Sequence, residues 1–382
     1  MELKPGYKMT EVGVIPEDWE VKPLSAVSSM KSGEGITASR IDQHSQYPCY
    51  GGNGLRGFTS RYTHDGAFAL IGRQGALCGN VVGVSGKLFA SEHTVVVTPR
   101  QGTNVEFLTY VLGEMHLNRL SEASAQPGLS VSKILQLSIA TPPTETEQRA
   151  IAQALSDVDA LLATLDQVII KKRDLKQAAM QQLLTGKTRL PGFSGEWEVK
   201  RLGDICELKM GRTPPRLNPA FWGEGYVWLS IADLQSKLVS SSKEQVTEAA
   251  AATMELIPKG TLLMSFKLSI GRLCFAGCDL FTNEAICSFN SLTANADYLY
   301  YALERVDFSL YGKQAVKGYT LNKKSLKTVK VTLPTAAEQA AIAKVLSDMD
   351  AELSVLESRR DKTRNIKQAM MQELLTGKTR LV

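Results

Sequence analysis

Pro143–Leu190 reads PTETEQRAIAQALSDVDALLATLDQVIIKKRDLKQAAMQQLLTGKTRL, and Pro334–Leu381 reads PTAAEQAAIAKVLSDMDAELSVLESRRDKTRNIKQAMMQELLTGKTRL. Laid without gaps, about three positions in five are identical. This is an internal repeat, and the chain is read as two halves. Each copy predicts one long helix with its ends written in. Thr144 with Glu147, and Thr335 with Glu338, spell a T-x-x-E capping box. In that box the Thr oxygen takes an orphan backbone N–H and the Glu reaches back to the cap residue. No proline interrupts either stretch, and Gly186 and Gly377 stand where a left-handed residue stops a helix. About forty residues at about 1.5 Å rise predict a rod on the order of 60 Å.

Apolar residues run along one side of each helix: Ile151, Leu155, Val158, Leu162, Leu165 and Ile169 in the first, Ile342, Leu346, Met349, Leu353 and Leu356 in the second. Steps of four and three predict a coiled-coil seam. In the second copy the register is expected to break at Arg360 and to resume at Ile366, Met370 and Leu374. Single helices of this length rarely stand alone, so the two are expected to pair with each other.

At 382 residues the chain is long enough for two or more domains, each with its own core. The net charge of +5 is unevenly placed: residues 1–142 sum to about zero, residues 191–333 to about +3, and each helix to about +1. That balance allows a nucleic-acid partner without demanding one. Six cysteines (Cys49, Cys78, Cys206, Cys274, Cys278, Cys287) form no regular framework, and the N-terminus shows no secretory signal. Free thiols in a cytoplasmic protein are the expectation. No apolar run reaches the length of a membrane span.

The repeat extends beyond the helices. Trp19-Glu20-Val21-Lys22 returns as Trp197-Glu198-Val199-Lys200. Gly66–Val84 and Gly260–Gly277 both read as β-hairpins, an apolar strand on each side of a polar, Gly-containing turn. Each is followed by Phe-x-x-Glu (Phe89 and Glu92, Phe281 and Glu284), then by an aromatic amphipathic helix beginning near Asn104 or Asn295. Each block ends on a Gly-containing polar loop (Gly128, Gly318), a Lys-bearing segment (Lys133, Lys324) and a short strand into the proline. Residues 211–225 are loop by composition. The blocks are therefore mixed α/β with a small, irregular sheet, and two copies of one scaffold with unlike loops suggest two modules with different targets.

Motifs that carry chemistry are missing. Thr185-Gly186-Lys187-Thr188 lacks the second glycine, five positions earlier, of a phosphate-binding loop; Gln181 and Gln372 stand there. Gly52-Asn53-Gly54-Leu55-Arg56-Gly57 matches a dinucleotide fingerprint only formally, because no helix start follows it. It reads instead as a glycine-rich surface loop carrying Asn53, Arg56 and Arg61. The four histidines (His44, His64, His93, His116) are scattered, and Cys274-x-x-x-Cys278 has no partner pair for a structural zinc. No N/D-P-P-Y/F tetrapeptide of the amino-methyltransferases occurs, and Ser194 lacks the spacing of a nucleophile elbow. No catalytic or metal residue is assigned.

A variable block, a helix with P-T-x-x-E-Q-x-x-I and L-L-T-G-K, then a second block and a second such helix resembles the specificity (S) subunit of Type I restriction–modification systems. The block starts IPEDWEVKPL and FSGEWEVKRL and the segment Tyr50–Gly75 carry the same resemblance, which covers essentially the whole chain. It implies an α+β architecture. Target-recognition domains at 1–142 and 191–333 alternate with spacer helices at 143–190 and 334–382, which pair as an antiparallel coiled coil with an internal pseudo-twofold. It further implies a non-catalytic chain that reads a bipartite sequence in double-stranded DNA, one half per domain. Two methyltransferase subunits, holding the S-adenosylmethionine and methylating adenine at N6, would sit on the helices, and separate restriction subunits would cut. No cofactor is expected in this chain and no membrane partner.

Arg and Lys pair with guanine edges, Asn and Gln with adenine. The DNA-contact candidates are Tyr50, Asn53, Arg56, Arg61, Arg73, Gln74, His93 and Gln126 in block one. Block two offers Arg212, Arg216, Trp222, Lys267, Arg272, Lys313, Lys317 and Tyr319. Each type also serves as a solvated loop charge or a core aromatic. Tyr298, Tyr300 and Tyr301, on a helix, are assigned to core or interface. Two rivals stand beside this reading: a self-contained methyltransferase or restriction–methylation fusion, which needs a cofactor motif, and a scaffold that assembles proteins without reading DNA, which the neutrality of block one favours.

Overall fold

The computed structural model describes residues 5–75, 77–121, 128–315 and 318–381, with side chains throughout these except at 313–315 and 318–320. The chain divides into two compact units, residues 1–167 with 358–382 and residues 168–357. The long helices Glu145–Leu183 and Ala336–Leu374, 39 residues each, are both divided between the units. Each unit therefore holds one variable block, the start of the helix that follows it and the end of the other helix.

In unit one a six-stranded sheet runs Ser28–Ser32, Thr94–Pro99, His64–Gly72, Val81–Ala90, Tyr47–Gly51, Gly54–Thr59. Neighbours are antiparallel except Val81–Ala90 and Tyr47–Gly51, which are parallel. Its central strands are apolar on both faces, since successive side chains point to opposite sides. Ala69, Ile71, Val95 and Val97 pack on the helix Val105–Glu114 through Phe107 and Leu112, while Leu70, Leu88 and Val96 form a second layer. Unit two repeats the plan: Glu207–Met210, Ile286–Asn290, Leu262–Ser265, Leu273–Ala276 and a parallel fifth strand, Leu238–Val239. A three-stranded sheet of Glu244–Val246, Trp222–Leu229 and Phe281–Thr282 is added to it. Residues 211–225, expected as loop, contain a 3-10 turn at Pro219–Phe221 and open that central strand at Trp222. The reason is packing: Trp222 meets Trp228 edge-on at 5.0 Å.

The repeated Trp-Glu-Val-Lys is the start of a two-stranded ribbon in each unit. Glu20–Pro23 pairs with Ser138–Thr141, and Glu198–Arg201 with Lys330–Leu333, the strands that lead into the long helices. Both hairpins expected from the sequence form. Asn104 and Asn295 cap the aromatic helices through the amides of Phe107 and Tyr298, and Tyr298, Tyr300 and Tyr301 are buried.

The helices run antiparallel within each unit. Lys367 meets Asp159 at 2.6 Å and Arg360 meets Asp166 at 3.7 Å in unit one. Lys172 meets Glu352 at 2.6 Å and Lys176 meets Asp350 at 2.5 Å in unit two. Leu165, Ile169 and Leu353 are buried, and Val158, Leu162, Met349 and Leu356 half-buried. Ile151, Leu155, Ile342 and Leu346 lie deeper than a helix seam requires: they belong to the block cores. The first pair shares its core with Leu374 and Leu375, the second with Leu183 and Leu184. The register does not break at Arg360. The seam continues through Arg360 and buried Thr363 to Lys367 and Met370, with polar residues in place of apolar ones. Ile366 faces outward, 57% exposed.

The expected capping box is only half realised. Thr144 and Thr335 accept from the amides of Glu147 and Glu338, but the two glutamates turn elsewhere. Glu147 is gripped by the Arg380 guanidinium through Nε and, at 2.9 Å, Nη2. Glu338 is gripped by Arg189 at 2.5 and 2.6 Å. The neighbouring glutamines secure the blocks: Gln148 accepts from the amide of Asn104 at 2.8 Å, and Gln339 from that of Asn295 at 2.9 Å. So P-T-x-x-E-Q at the start of one helix is the socket for T-G-K-T-R at the end of the other.

The glycine of that ending is required by geometry, and unequally. Gly186 and Gly377 have φ of +69° and +72°, the left-handed region that side chains avoid. A Cβ on Gly377 would sit 2.6 Å from the ring of Pro16, whereas one on Gly186 would lie 3.5 Å from Trp197. Gly186→Ala is expected to cost about 1–2 kcal/mol from backbone strain alone, and Gly377→Ala clearly more. Thermal unfolding of the two variants checks this, and equal losses would count against the Pro16 contact.

Candidate nucleic-acid interface

One end of the unit-one sheet brings together three of the eight block-one candidates, Arg73, Gln74 and His93. Four backbone bonds build it: Gly33 N to Thr94 O at 2.9 Å, Glu34 N to Ala90 O at 2.9 Å, Arg73 N to His93 O at 2.8 Å and Leu129 N to Arg73 O at 3.0 Å. The approach at Gly33 is so close that a Cβ would lie 2.2 Å from the Ala90 carbonyl oxygen. Arg73 then donates to the Ser32 hydroxyl at 3.1 Å. His93 Nδ1 lies 2.7 Å from Gln74 Oε1, and its Nε2 lies 3.4 Å from Glu92. Glu92 accepts from the amide of Ile36 at 3.2 Å, which fastens the chain leaving the first strand.

The remaining unit-one candidates divide. Asn53 and Arg56 are exposed, but not on a glycine-rich loop: Tyr47–Gly51 and Gly54–Thr59 form a tight hairpin turning at Gly52-Asn53. A Cβ at Gly52 would meet the Gln74 carbonyl oxygen at 2.5 Å, so this turn abuts the corner. Arg61 is pinned between Glu34 at 3.1 Å and the Phe89 ring at 4.7 Å, which answers its charge within the fold. Tyr50 is half-buried against the Leu70–Leu88 layer. Gln126 lies outside the described residues.

Unit two builds the same corner with other side chains. Gly211 N bonds Ile286 O at 3.1 Å, Arg212 N bonds Thr282 O at 2.8 Å, Phe266 N bonds Ala285 O at 2.9 Å and Leu321 N bonds Phe266 O at 3.2 Å. Gly211 is as tightly placed as Gly33, its Cβ position 2.3 Å from the Thr282 carbonyl oxygen. By this register Arg212 stands for Glu34, Phe266 for Arg73, Lys267 for Gln74, Glu284 for Glu92 and Ala285 for His93. Glu284 takes a hydrogen bond from Thr213. That bond, with lesser contributions from Lys267 and Arg216, holds its carboxyl below the usual range. The Phe-x-x-Glu repeat is thereby explained: Phe89 and Phe281 are buried, and each Glu fastens the segment opposite.

Arg216 lies over Trp222 at 4.1 Å and Trp228 at 4.9 Å and bonds Glu244 at 2.5 Å, while the Trp222 indole donates to the Pro215 carbonyl. Arg272 is exposed at the end of the hairpin turn. Lys313 and Tyr319 lie on the strands Lys313–Ala315 and Gly318–Thr320, where only the backbone is described, and Lys317 lies outside the described residues. Sequence reasoning missed Ser32, Lys31, Ser130 and Ser132, which line a groove with Arg73. The signal was present in the Ser-Val-Ser-Lys stretch after Gly128, but nothing local says which strand it faces.

The side chains at the unit-one corner are hydrogen-bond donors and acceptors. Burial pushes the thiols of Cys206 up to about 11 and of Cys274 and Cys287 up to about 12, so none supplies a thiolate at neutral pH. Among the described residues no group of His, Cys, Asp and Glu could hold a metal ion, and no helix is long and apolar enough to cross a membrane.

Comparison with known proteins gives a consistent result. The profile described as "Type I restriction modification DNA specificity domain" matches residues 16–172 and 194–363. The Escherichia coli "Type I restriction enzyme EcoprrI specificity subunit" is 41% identical over 151 residues, 38% of this chain and 37% of that one. The Methanocaldococcus jannaschii "Type I restriction enzyme MjaVIII specificity subunit" is 21% identical over 416 residues, 96% of this chain and 94% of that one. The fold is shared with the S subunit of a Type I restriction-modification system from M. genitalium, with a TM-score of 0.70, 18% identity, and coverage of 97% of this chain and 99% of that one.

Proposed function

The chain belongs to the Type I restriction modification DNA specificity family, and from that premise we propose that each sheet-end corner reads one half of a bipartite DNA sequence. The observation that carries this reading is the doubled corner. One backbone scaffold is kept, down to Gly33 and Gly211, while Glu34, Arg73, Gln74 and His93 give way to Arg212, Phe266, Lys267 and Ala285. Phe266 and Ala285 are buried and apolar, which leaves Arg212 and Lys267 as the hydrogen-bonding side chains among these four. A constant frame carrying different side chains is what two half-site readers of different sequence need. The small net charge of block one fits a chain that supplies base contacts while phosphate affinity comes largely from partners.

In this reading the chain is a non-catalytic subunit working in the cytoplasm on double-stranded DNA. Two methyltransferase subunits carry the S-adenosylmethionine and methylate adenine at N6, and restriction subunits complete the complex. The test is a genome-wide map of N6-methyladenine with and without this chain. Loss of a two-part motif on deletion supports the proposal, and an unchanged map in cells that express the partner methyltransferase refutes it. The paired helices set the spacing between half-sites. Inserting four residues, about one turn, at both Gln167–Val168 and Glu357–Ser358 is expected to lengthen the unread spacer of the methylated motif. An unchanged spacer in an active complex would remove that role from the helices.

A further inference from the structure

The repeat supplies an internal comparison, because a site that is filled in unit two is open in unit one. In unit two Tyr301 donates to Asp350 at 2.5 Å and lies 3.2 Å from the Ser347 hydroxyl. The Lys237 ammonium enters this group, 2.7 Å from the Tyr301 oxygen, 3.2 Å from Ser347, 3.5 Å from Asp297 and 3.7 Å from Asp350. It is delivered by Leu238–Val239, which adds as a parallel strand to the edge of Leu273–Ala276. That addition satisfies two edge amides: Phe275 N donates to Lys237 O at 2.7 Å and Gly277 N to Val239 O at 2.8 Å.

Unit one carries the receiving half of this arrangement without the part received. Tyr110, Ser156, Asp159 and Glu106 stand at the repeat positions of Tyr301, Ser347, Asp350 and Asp297, at the offset that separates Pro143 from Pro334. Tyr110 donates to Asp159 at 2.9 Å, and Lys367 bonds Asp159 at 2.6 Å just as Lys176 bonds Asp350 at 2.5 Å. Among the described residues no counterpart of Lys237 is present. The strand Val81–Ala90 meets its outer neighbour only at Phe89 and Ala90. Among the described residues the edge at Gly83 and Ser85, which corresponds to Phe275 and Gly277, takes no strand. Gly83 and Thr109 also replace Phe275 and Tyr300, whose rings stack at 5.6 Å in unit two. Without those rings a cavity of about 680 Å³ remains, lined by the open strand and by Glu106, Tyr110, Ser156 and Asp159.

We propose that this cavity is a docking site for an extended segment of a partner protein carrying a lysine followed by apolar residues. The segment adds in parallel to the Gly83–Ser85 edge, and its ammonium sits between Glu106 and Asp159. Main-chain bonds to an unpaired edge give affinity, and the acidic seat gives selectivity for the lysine. Glu106, Glu114 and Asp159 face the cavity, and Lys367, the one lysine among the described lining residues, is already bonded to Asp159. A phosphate-bearing ligand is disfavoured, which sets this site apart from the DNA-reading corner.

The chain's own Gln235–Ser240 sequence, made as a fluorescent, end-blocked peptide, is the probe, titrated by fluorescence polarisation into the full-length protein without DNA. Saturable binding is expected, weakened about tenfold or more, the equivalent of 1.4 kcal/mol, when norleucine replaces the peptide lysine or when the protein carries Glu106→Gln. Gly83→Phe with Thr109→Tyr, which restores the rings of unit two, is expected to abolish it. Should that pair fail to fold, Glu106→Gln alone decides, since Glu106 is an exposed first-turn residue. Absence of saturable binding, or equal binding of the norleucine peptide, overturns the proposal and leaves the DNA reading untouched.

Discussion

Arg380→Ala is expected to destabilise unit one by about 3 kcal/mol, because it strands a buried carboxylate. Glu147 has a side chain 1% exposed and is bound by two nitrogens of Arg380, whose Nη1 and Nη2 also reach Asp18 at 2.9 Å. Arg380→Lys is expected to recover little, since an ammonium cannot reproduce the planar two-nitrogen grip. Urea unfolding followed by Trp fluorescence measures the loss, and a change below about 0.5 kcal/mol would show that the pair behaves like a surface ion pair. Arg189→Ala acts in the same direction on unit two through Glu338. The Asp18 carboxyl is held below the usual carboxylate range, chiefly by its hydrogen bond to Arg380. Its stabilising contribution is therefore present at neutral pH and lost as pH falls through its depressed folded value. In Arg380→Ala that acid-dependent part disappears.

Arg73→Ala combined with Gln74→Ala is expected to abolish discrimination at one half-site and leave the other intact. Each side chain that reads a base edge well is worth about 1–3 kcal/mol of discrimination, so losing two brings a half-site close to non-specific binding. Neither residue is buried, and among the described residues the Arg73 side chain bonds Ser32 and the Gln74 side chain bonds His93, both at the sheet end, so the fold is expected to survive. Two readouts separate reading from folding: the methylated motif in cells and the unfolding curve of the purified chain. Exchanging residues 1–142 for those of another family member should likewise rewrite one half of the motif. Changes in both halves after either manipulation would rule out independent reading by the two corners.

The two effects differ in how visible they were in the sequence. The long helices were legible because their information is local: caps, a stop glycine and a seam at steps of three and four lie on one stretch of chain. The hairpins were legible for the same reason. The target of Glu147 was not. A capping box predicts a contact three residues away, and the observed partner lies at the far end of the other helix, where a guanidinium is a stronger partner than a backbone amide. Arg360 misled in a related way, because a polar residue in a seam looks like a lost register until Asp166 is seen opposite.

The same division runs through the candidate site. Glycines 33 and 211 cannot be singled out from sequence, since the carbonyls they approach belong to strands many residues away. Arg61 and Arg216 look like free cations in sequence and are answered by Glu34 and Glu244 in the fold. By itself the sequence determined the doubled layout, the element types and the family, all of which rest on periodicity and repeated local patterns. Only the tertiary structure decided which helix end closes which block, which side chains meet at the sheet end, and that Lys237 enters one acidic seat while among the described residues its repeat has no counterpart of that lysine. Those outcomes depend on contacts between residues distant in the chain, which no local pattern encodes.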